Sequence, residues 1–434
     1  MSNLIIRNGT VIEPGGKAGE ADILIVDGKI AAIGSNLKTD HLPLTTENLA
    51  VLDAMGLTVT PGLVDMHVHL REPGQEGKET VATGTRAAAK GGVTSLACMG
   101  NTVPPLDNPA ILAYLMMKVA KDAVVRVYPV GCISAERKGE VLADISALKD
   151  AGVVGISDDG SSVMNALLAR RAMMYAQSLG LVYIEHAEDP NLADNGVMNS
   201  GLMALKLGLS GISPLAEEVV VARDILLAQT TGVRLHITHV STIPTLALVK
   251  NAKKRGVKVT CDVTPHHLVL TDEAVAGYNT NAKVNPPLRD EATRNALVAG
   301  VMDGTIDAIA SDHAPHGPNE KDVDFGSAAF GLIGLETMLG LSLKVLGDAG
   351  MELPAIIQRL TTGPAGILNI QAGTLKEGAC ADIAIFDPKG EWTVEAGALA
   401  SKSKNTPFMG WKLPGRVIHT IVGGKIVVKD GAIV

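Results

Sequence analysis

Two histidines separated by a single residue are the first candidates for chemistry in this chain. Segment 61–71 reads Pro-Gly-Leu-Val-Asp-Met-His-Val-His-Leu-Arg, an apolar stretch that ends in two imidazoles and a guanidinium. Alternate residues of an extended strand face the same side, so His67 and His69 can offer two nitrogens to one metal ion. A lone His-x-His pair is more often a chance pair on a half-buried strand. Here matching ligands follow later strand-like runs, and the whole pattern predicts a metal site.

These histidines need a framework that brings the ends of several strands together. Eight apolar, strand-like runs alternate with helical patterns in the middle of the chain, and this alternation predicts an α/β fold, a (β/α)8 TIM-like barrel. The runs span residues 62–67, 93–99, 124–130, 153–157, 182–185, 234–238, 257–263 and 306–311. The helical patterns include residues 79–90, 164–179, 216–228 and 243–254.

Polar residues follow the carboxyl ends of most of these runs. They are His67 and His69, Asn101, Asp158 and Asp159, His186, His239, and Asp312. In a barrel these ends meet at one mouth, where such residues are catalytic. Imidazoles and carboxylates without a thiolate fit one or two divalent ions of the zinc type at a catalytic site. Two ions need a shared anionic ligand, and Asp159 is the candidate. Neighbours on an extended segment point apart, so only one of Asp158 and Asp159 is expected to ligate, and spacing does not select it.

The two ends of the chain share a different pattern, short β-prone pieces joined by turn dipeptides. The pieces span residues 4–6, 11–12, 21–26, 29–33, 381–386, 416–422 and 425–428. Asn8-Gly9 and Asp27-Gly28 are hairpin signals, and Gly423-Gly424 separates the last two pieces. Neither end has enough strands to bury a face alone, so we expect one small β-rich domain formed by both ends. Separate hairpins packed on the barrel are the alternative. The predicted boundaries are residues 1–60 and 371–434 for this domain and 61–370 for the barrel.

Composition and charge argue against several classes of function. The formal charge of −8 is mild for 434 residues, and no basic patch is present, so nucleic acid is not an expected partner. The first residues do not resemble an export signal, and no apolar run is long enough to span a bilayer. We therefore expect a cytoplasmic protein without membrane contact. The four cysteines lack C-x-x-C spacing and are expected to pack as small apolar residues.

Seven motifs carry the strongest signal when they are taken together. They are Asp65-Met-His-Val-His-Leu-Arg-Glu-Pro-Gly74, Gly100-Asn-Thr102, Ser157-Asp-Asp-Gly160, Thr264-Pro-His-His-Leu268, Val284-Asn-Pro-Pro-Leu-Arg289, Ser311-Asp-His-Ala-Pro-His316 and Lys404-Asn-Thr-Pro-Phe408. As a set they resemble the bacterial class I dihydroorotases of the amidohydrolase superfamily, nearly from end to end. The resemblance implies reversible hydrolysis of L-dihydroorotate to N-carbamoyl-L-aspartate, a step of pyrimidine synthesis.

The resemblance also implies roles for individual positions. It makes His67, His69 and Asp312 ligands of one zinc ion and His186 and His239 ligands of another, with Asp159 between them. One or two zinc ions per subunit are expected, and two are favoured. The implied substrate contacts are His69, Leu70, Arg71, Asn101, Asn285, His316, Phe330 and Gly331. Asp312 is the implied catalytic residue, because a carboxylate within reach of metal and water can act first as base and then as acid.

Arg71 carries the argument about the class of substrate. A guanidinium just past the ligand pair is suited to a bidentate grip on a carboxylate, which favours an acidic ring over an uncharged one. The alternative is an exposed arginine that pairs with Glu72 on the rim of the barrel. Asn101 and Asn285 would be read as turn residues on their own, and only their motifs make them candidates.

Two departures from the family pattern affect the site. Many members of the superfamily bridge their metals with a carboxylated lysine after the fourth strand, but this chain has no lysine between Asp150 and Leu205, so the bridge should be an aspartate. Gly100 replaces the usual proline and should loosen the loop that carries Asn101.

Segment 317–327 follows the last predicted ligand, is rich in Gly, Pro and charge, and is interpreted as a mobile lid.

Two other functions stay open at this point. One is a different cyclic amidohydrolase, namely a hydantoinase, dihydropyrimidinase or allantoinase. The other is a non-catalytic dihydroorotase-like subunit that associates with aspartate carbamoyltransferase, although the complete ligand set argues against it. The expected ligand is a small molecule, and the expected assembly is a homo-oligomer, with a dimer favoured. An association with aspartate carbamoyltransferase is compatible with activity.

Overall fold

The computed structural model describes residues 3–14, 18–37 and 49–434. Its strands are β1 (Asn3–Ile12), β2 (Ala18–Val26), β3 (Lys29–Gly34), β4 (Leu49–Asp53), β5 (Thr58–Pro61), β6 (Leu63–Val68), β7 (Val93–Cys98), β8 (Arg126–Gly131), β9 (Gly155–Ile156), β10 (Val182–Glu185), β11 (Met198–Asn199), β12 (Gly211–Ile212), β13 (Arg234–Ile237), β14 (Val259–Val263), β15 (Ala308–Ile309), β16 (Ile383–Asp387), β17 (Trp392–Thr393), β18 (Lys412–Leu413), β19 (Arg416–Val422), β20 (Lys425–Lys429) and β21 (Ala432–Ile433).

Helices separate most of the strands in the middle of the chain. They are α1 (Val81–Lys90), α2 (Pro109–Asp122), α3 (Ile145–Asp150), α4 (Ala166–Ser178), α5 (Pro190–Ala193), α6 (Leu202–Leu207), α7 (Leu215–Thr231), α8 (Ile243–Lys254), α9 (Pro265–Val269), α10 (Glu291–Met302), α11 (Pro318–Lys321), α12 (Met338–Asp348), α13 (Leu353–Arg359) and α14 (Thr362–Leu368). Short 3-10 turns cover Ala135–Arg137, Asp272–Val275, Thr280–Ala282 and Ala396–Ala398.

Five of the longer helices begin where a polar side chain satisfies free backbone N–H groups of the first turn, whereas α7 and α12 begin without such a side-chain cap. Thr80, Asn108, Asn165, Thr242 and Asp290 each accept such a hydrogen bond at the start of α1, α2, α4, α8 and α10. The four predicted helical patterns all correspond to observed helices, and the predicted and observed ends differ by a few residues. These caps explain why α1 and α4 begin two residues later than their apolar pattern suggests.

The eight predicted runs form one sheet of parallel strands. Its order is β6-β7-β8-β9-β10-β13-β14-β15 in the described part of the chain. Every neighbouring pair in it is parallel. The predicted (β/α)8 barrel is therefore confirmed, and the carboxyl ends of all its strands lie at one mouth.

The barrel closes between its first strand and the segment after its last strand. Val68 forms an isolated parallel bridge with His313, and His69 N donates to His313 O at 2.9 Å. Below this bridge, Asp65 Oδ1 accepts hydrogen bonds from Ser311 N at 3.0 Å and from His67 N at 3.2 Å. Asp65 is fully buried, and this burial raises its pKa to about 6 despite the hydrogen bonds to Ser311 and His67. The closure thus fixes the first histidine pair against the segment that carries Asp312.

Both ends of the chain contribute to a second sheet, as predicted. Its order is β21-β20-β19-β16-β5-β1-β2-β3, with β4 paired to β1 as a ninth strand among the described residues. Asp27-Gly28 and Gly423-Gly424 are hairpin turns, since Val26 pairs with Lys29 and Val422 with Lys425. The chain passes from this sheet to the barrel between β5 and β6 and returns to it at β16, but the domain boundaries themselves remain a prediction.

The hairpin predicted at Asn8-Gly9 is wrong. The dipeptide instead lies inside β1, where the register with β2 shifts between Ile6 and Gly9. Asn8 has a φ of 60°, which produces a β-bulge rather than a chain reversal. Its side-chain Nδ2 donates to Asp53 Oδ1 at 2.9 Å, so the neighbouring strand β4 stabilises the bulge. A dipeptide that fits a tight turn also fits a bulge, and only the pairing with a distant strand decides between them.

The end sheet packs directly on the barrel. At the junction, Gly62 N donates to Asp382 O at 2.8 Å, and Arg126 Nε donates to Asp382 Oδ2 at 2.6 Å. Gly62 has no room for a side chain, because a Cβ there would lie 2.0 Å from Thr94 Oγ1. Thr420 Oγ1 in β19 donates to Ala89 O at the end of α1 at 2.7 Å. These contacts hold the base of the first barrel strands in place.

Two further expectations concern membranes and cysteines. Among the helices of the described ranges, none is both long and apolar enough to cross a membrane. The cysteines are all free: Cys98, Cys132 and Cys261 are buried and Cys380 is half-buried. Burial raises the pKa values of these thiols, to about 12 for Cys98. The three buried cysteines pack as small apolar residues, as predicted, whereas Cys380 Sγ accepts a hydrogen bond from Arg126 Nη2 at 2.7 Å.

Candidate active site

Four imidazoles and two carboxylates meet at the mouth of the barrel. They are His67, His69, Asp159, His186, His239 and Asp312, and all six are buried. His67 lies in β6 and His69 just after it, and the others follow β9, β10, β13 and β15 within three residues. Residues that are far apart in the sequence are therefore brought together because their strands are parallel and end at the same edge.

Asp159 lies between two pairs of imidazoles. Its Oδ1 is 3.1 Å from His67 Nε2, and its Oδ2 is 3.6 Å from His69 Nε2. On the other side, Oδ1 is 3.8 Å from His186 Nδ1, which is itself 3.0 Å from His239 Nε2. Asp159 is thus placed where a shared ligand would have to be.

Asp312 lies beside the imidazoles of His67 and His69. Its Oδ1 is 3.1 Å from His69 Nε2 and 3.5 Å from His67 Nε2. Two sets of possible ligand atoms lie within 4.8 Å of one another, namely those of His67, His69 and Asp312 and those of His67, Asp159 and His239. The residues that the sequence predicts as ligands are therefore close enough together to share one or two ions.

The geometry of two atoms tests whether a metal fits. His67 Nε2 and Asp159 Oδ1 are 3.1 Å apart, yet they are not aligned as a hydrogen bond, and neither has another hydrogen-bond partner among the described residues. Buried polar atoms are normally paired, so two unpaired atoms in contact need an explanation. The two atoms are explained if both are directed at a common metal ion. A nitrogen and a carboxylate oxygen are donors that suit a divalent ion of the zinc type.

Electrostatics make the cluster attractive to a cation. Burial opposes protonation of His67, but the carboxylates of Asp159 and Asp312 outweigh it and raise the pKa of His67 to about 10. Burial also acts to raise the pKa of Asp159, but His67, His69 and His186 hold it well below its usual value. The carboxylates therefore hold a positive charge beside them, and a divalent cation would replace the proton on His67.

Hydrogen bonds behind the histidines fix their orientation. His67 Nδ1 is 2.8 Å from Thr238 Oγ1, which donates to Asp262 Oδ2 at 3.1 Å. Asp262 Oδ1 also accepts from His239 N at 2.6 Å. On the opposite side, His69 Nδ1 is 2.9 Å from Asn101 Oδ1. Thr238 and Asp262 were not predicted as site residues, although both lie at the carboxyl ends of predicted strands, which is the signal that could have found them.

Three site residues have backbone conformations that side chains rarely adopt. Arg71, His239 and Asp312 have φ values of 61°, 38° and 46°. Such conformations cost about 1–3 kcal/mol each and persist only where surrounding contacts impose them. Asp262, which binds the backbone of His239, is one such contact. These backbone conformations thus lower the stability of the fold, and they direct the three side chains into one cavity.

A cavity of about 260 Å³ opens beside the cluster. The residues that line it are His69, Arg71, Asn101, Asp159, Gly160, His186, His239, Asn285, Asp312, Ala314, His316, Phe330 and Gly331. All the predicted substrate contacts except Leu70 are among them. The side chain of Leu70 is buried in the apolar core of the barrel instead. The cavity is therefore the place where a small ligand would meet the histidine and aspartate cluster.

Arg71 is the main cationic group of this cavity. Arg71 is 8 % exposed. The alternative interpretation, an exposed arginine on the rim of the barrel, is therefore wrong. Its Nε donates to Pro315 O at 3.3 Å, and its Nη2 donates to His316 Nε2 at 3.2 Å. Burial and the nearby guanidinium lower the pKa of His316 to about 3, so this histidine is neutral and accepts that hydrogen bond. Glu72, in turn, pairs with Lys118 rather than with Arg71.

Asn405 belongs to one of the seven motifs but had no predicted role. Its Nδ2 donates to Ala314 O and Gly331 O, both at 3.1 Å, and its Oδ1 accepts from His316 N at 3.0 Å. One buried amide thus joins three residues of the cavity wall. Asn405 lies between β17 and β18, 74 to 91 residues after the wall residues that it binds.

Two other polar side chains near the cluster point away from it. The Asp158 carboxylate accepts from Ile133 N at 2.8 Å and from Ser134 N at 3.1 Å, behind the site. The expected separation of Asp158 and Asp159 is therefore observed, and only Asp159 enters the cluster. His236 binds Thr260 and Asp262 in the interior of the barrel, each at 2.9 Å, and its side chain therefore does not enter the cluster.

Comparisons with known proteins agree with this geometry. The dihydro-orotase-like family model matches residues 56–244, and the amidohydrolase family model matches residues 227–428. A dihydroorotase of Geobacter sp. (strain M21) is 51% identical over 430 residues, which cover 99% of this chain and 100% of that protein. A dihydroorotase of Pelotomaculum thermopropionicum is 52% identical over 432 residues, which cover 99% of each chain.

Solved structures with the same fold include hydantoinases. The L-hydantoinase (dihydropyrimidinase) from Arthrobacter aurescens aligns with a TM-score of 0.89 at 26% identity, over 100% of this chain and 98% of that one. A D-hydantoinase aligns with a TM-score of 0.86 at 25% identity, over 100% and 96% of the two chains. The fold is thus shared across the superfamily, whereas the full-length identity to the dihydroorotases is far higher. The chain therefore belongs to the dihydroorotase family of the amidohydrolases.

Proposed function

We propose that this protein is a zinc-dependent dihydroorotase, which hydrolyses L-dihydroorotate reversibly to N-carbamoyl-L-aspartate in pyrimidine synthesis. One observation carries the proposal: a buried guanidinium and the histidine and aspartate cluster line the same small cavity. The substrate ring bears its carboxylate on the carbon that is two ring bonds from the carbonyl carbon that water attacks. A carboxylate-binding group and a hydrolytic group must therefore lie within one ring's width of each other.

The cluster would hold two zinc ions in this proposal. His67, His69 and Asp312 would bind one, His186 and His239 would bind the other, and Asp159 would contribute to both. When bound, zinc polarises the amide carbonyl and lowers the pKa of water. Asp159 supplies the negative charge that two neighbouring cations require, and its Oδ1, which has no hydrogen-bond partner within residues 3–14, 18–37 and 49–434, is available for ligation.

Asp312 moves the proton in the reaction. Its carboxylate lines the cavity, where it accepts a proton from the water that attacks the carbonyl carbon. It then donates this proton to the ring nitrogen as the carbon–nitrogen bond breaks, which yields the ureido group. In the reverse direction the carboxylate removes a proton from the ureido nitrogen while the ring closes.

The other cavity residues bind and orient the ring. Arg71 holds the ring carboxylate with two parallel hydrogen bonds, and neutral His316 supports the guanidinium. Asn285 Oδ1 is buried, has no hydrogen-bond partner in the described part of the chain, and is available to accept from a ring N–H group. Phe330 and Gly331 cover the face of the ring and exclude water.

Zinc content and substrate preference test this proposal together. We expect purified protein to contain zinc and to hydrolyse L-dihydroorotate, with 5,6-dihydrouracil and hydantoin turned over at least about 100-fold more slowly. Zinc with preferential turnover of the uncharged rings would favour a hydantoinase or dihydropyrimidinase. A protein with neither zinc nor turnover would favour the non-catalytic subunit.

Removing the Thr238 hydroxyl should weaken zinc binding. Thr238→Val keeps the shape of the side chain but leaves His67 Nδ1 without its 2.8 Å partner. We expect zinc affinity to fall about 10- to 100-fold, as measured by competition with a chromogenic chelator. Thr230→Val, on the exposed face of α7, is the matched control and should leave zinc affinity unchanged. An unchanged affinity in Thr238→Val would argue against His67 as a ligand.

Three expectations from the sequence remain predictions. They are the homodimer, the association with aspartate carbamoyltransferase and the cytoplasmic location. Sedimentation of the purified protein, alone and with the carbamoyltransferase of the same organism, would test the first two.

A further inference from the structure

Two buried lysines, Lys283 and Lys321, have no role in the mechanism described above. Their side chains are largely inaccessible, with relative exposures of 2 % and 4 %. Lysine is almost never buried to this extent unless an acidic group pairs with it. The amines of Lys283 and Lys321 instead donate hydrogen bonds to backbone carbonyl oxygens. Such an arrangement is costly and therefore needs an explanation.

Lys283 holds the segment that forms one wall of the cavity. Its Nζ donates to Phe325 O at 2.7 Å and to Gly326 O at 2.9 Å, and it lies 4.5 Å from the centroid of the Phe330 ring. Its own carbonyl oxygen accepts from Gly331 N at 2.8 Å. One residue therefore contacts both ends of segment 325–331, which includes the two residues that cover the proposed substrate ring.

Lys321 holds the middle of the same segment. It is the last residue of the short helix α11, and its Nζ donates to Ala329 O at 2.6 Å and to Lys283 O at 3.5 Å. Ala329 N donates back to Glu320 O at 3.0 Å, so the helix and the segment are joined in both directions. The two lysines and this backbone pair fix the segment at four points between residues 325 and 331.

Burial affects the protonation of both amines without removing their hydrogen bonds. It lowers the pKa of Lys283 to about 8, and together with the charge of Lys283 it lowers the pKa of Lys321 to about 7. A neutral amine still has two N–H donors, which is enough for the two carbonyl partners of Lys283. The hydrogen bonds to the carbonyl oxygens therefore do not depend on the charge.

We propose that Lys283 and Lys321 are positioning residues for the substrate, because their amines fix segment 325–331 as a rigid wall that sets Phe330 and Gly331 against the ring. This inference rests on the proposed function for the identity of the ring. It differs from the interpretation of segment 317–327 as a mobile lid, which overlaps the same wall. A rigid wall and a lid make opposite predictions about motion and substrate binding.

Kinetics of a lysine variant test the positioning role. Lys283→Met keeps the length of the stem and removes the donors. We expect the KM for L-dihydroorotate to rise about tenfold while kcat changes less than threefold, because the wall contacts the ring equally in the ground and transition states. Lys321→Met should shift KM in the same direction, and the exposed Lys376→Met is the control that should match wild type. A KM within twofold of wild type in both buried-lysine variants would overturn the proposal.

Hydrogen exchange tests the rigid wall without relying on activity. We expect the amides of Ala329 and Gly331 to exchange slowly in the ligand-free holoenzyme and to be unaffected by saturating N-carbamoyl-L-aspartate. Their exchange should become at least about tenfold faster in Lys283→Met, or in Lys321→Met if the first variant does not fold, while strand β10 stays protected. Fast exchange in the wild type that slows on binding would establish a lid and overturn the proposal. Absence of dihydroorotate turnover would instead contradict the proposed function and leave this measurement valid.

Discussion

Asp312→Asn is expected to lower kcat for L-dihydroorotate about 1,000-fold while the protein retains zinc. An amide has no basic oxygen with which to accept the proton of water, and loss of a general acid and base typically costs 100- to 10,000-fold. Asparagine is the right substitution because it tolerates the left-handed backbone at this position, where φ is 46°. Steady-state kinetics with metal analysis of the same samples would measure both quantities.

The control for this variant is a carboxylate outside the site. Asp303 lies at the end of α10 and pairs with Lys250 on the surface, so Asp303→Asn should leave kcat and zinc content unchanged. An Asp312→Asn enzyme within tenfold of the wild-type kcat would show that another group moves the proton. If zinc were lost as well, adding excess zinc to the assay would separate the loss of a ligand from the loss of the base.

Arg71→Met is expected to lower kcat/KM for L-dihydroorotate about 1,000-fold, which corresponds to about 4 kcal/mol at 1.36 kcal/mol per tenfold. The reason is that a buried carboxylate would lose its only guanidinium among the residues that line the cavity. Truncating one partner of a buried charged pair typically costs 2–5 kcal/mol. Activity on 5,6-dihydrouracil, which has no carboxylate, should change less than threefold. The ratio of the two kcat/KM values is therefore the measurement.

Two further variants sharpen the test of Arg71. Arg71→Lys keeps the charge but loses the planar pair of donors, so it should recover only part of the lost kcat/KM. Arg170→Met removes an exposed arginine from α4 and should have no effect on either substrate. An equal loss on both substrates in Arg71→Met would mean that the arginine supports the cavity rather than the carboxylate.

The barrel and its ligands could be predicted from the sequence for one physical reason. Parallel strands that are buried on both faces appear as separate apolar runs, and a polar residue directly after such a run must lie at the common mouth. His67, His186 and His239 lie at the ends of such runs, so the sequence predicts that they come together. In the structure they do. This prediction does not depend on the lengths of the intervening helices.

Other features were decided only by contacts between distant segments. Asn8-Gly9 fits a hairpin and a bulge equally well, and pairing of β1 with β2 and β4 makes it a bulge. Similarly, Arg71 could have been a rim residue, but the backbone turn at φ 61° buries it beside His316. Spacing along the chain cannot specify such choices, because the competing conformations have similar local energies.

The sequence by itself determined the barrel, the sheet shared by the two chain ends and the ligand types at the mouth, because apolar periodicity and residue chemistry are local properties. Tertiary structure alone decided which side chains support the site. Thr238 behind His67, Asn405 behind the cavity wall and Lys283 beneath Phe330 act through partners 42 to 171 residues away. No local pattern encodes such contacts, since they exist only once the strands and the returning chain are packed together.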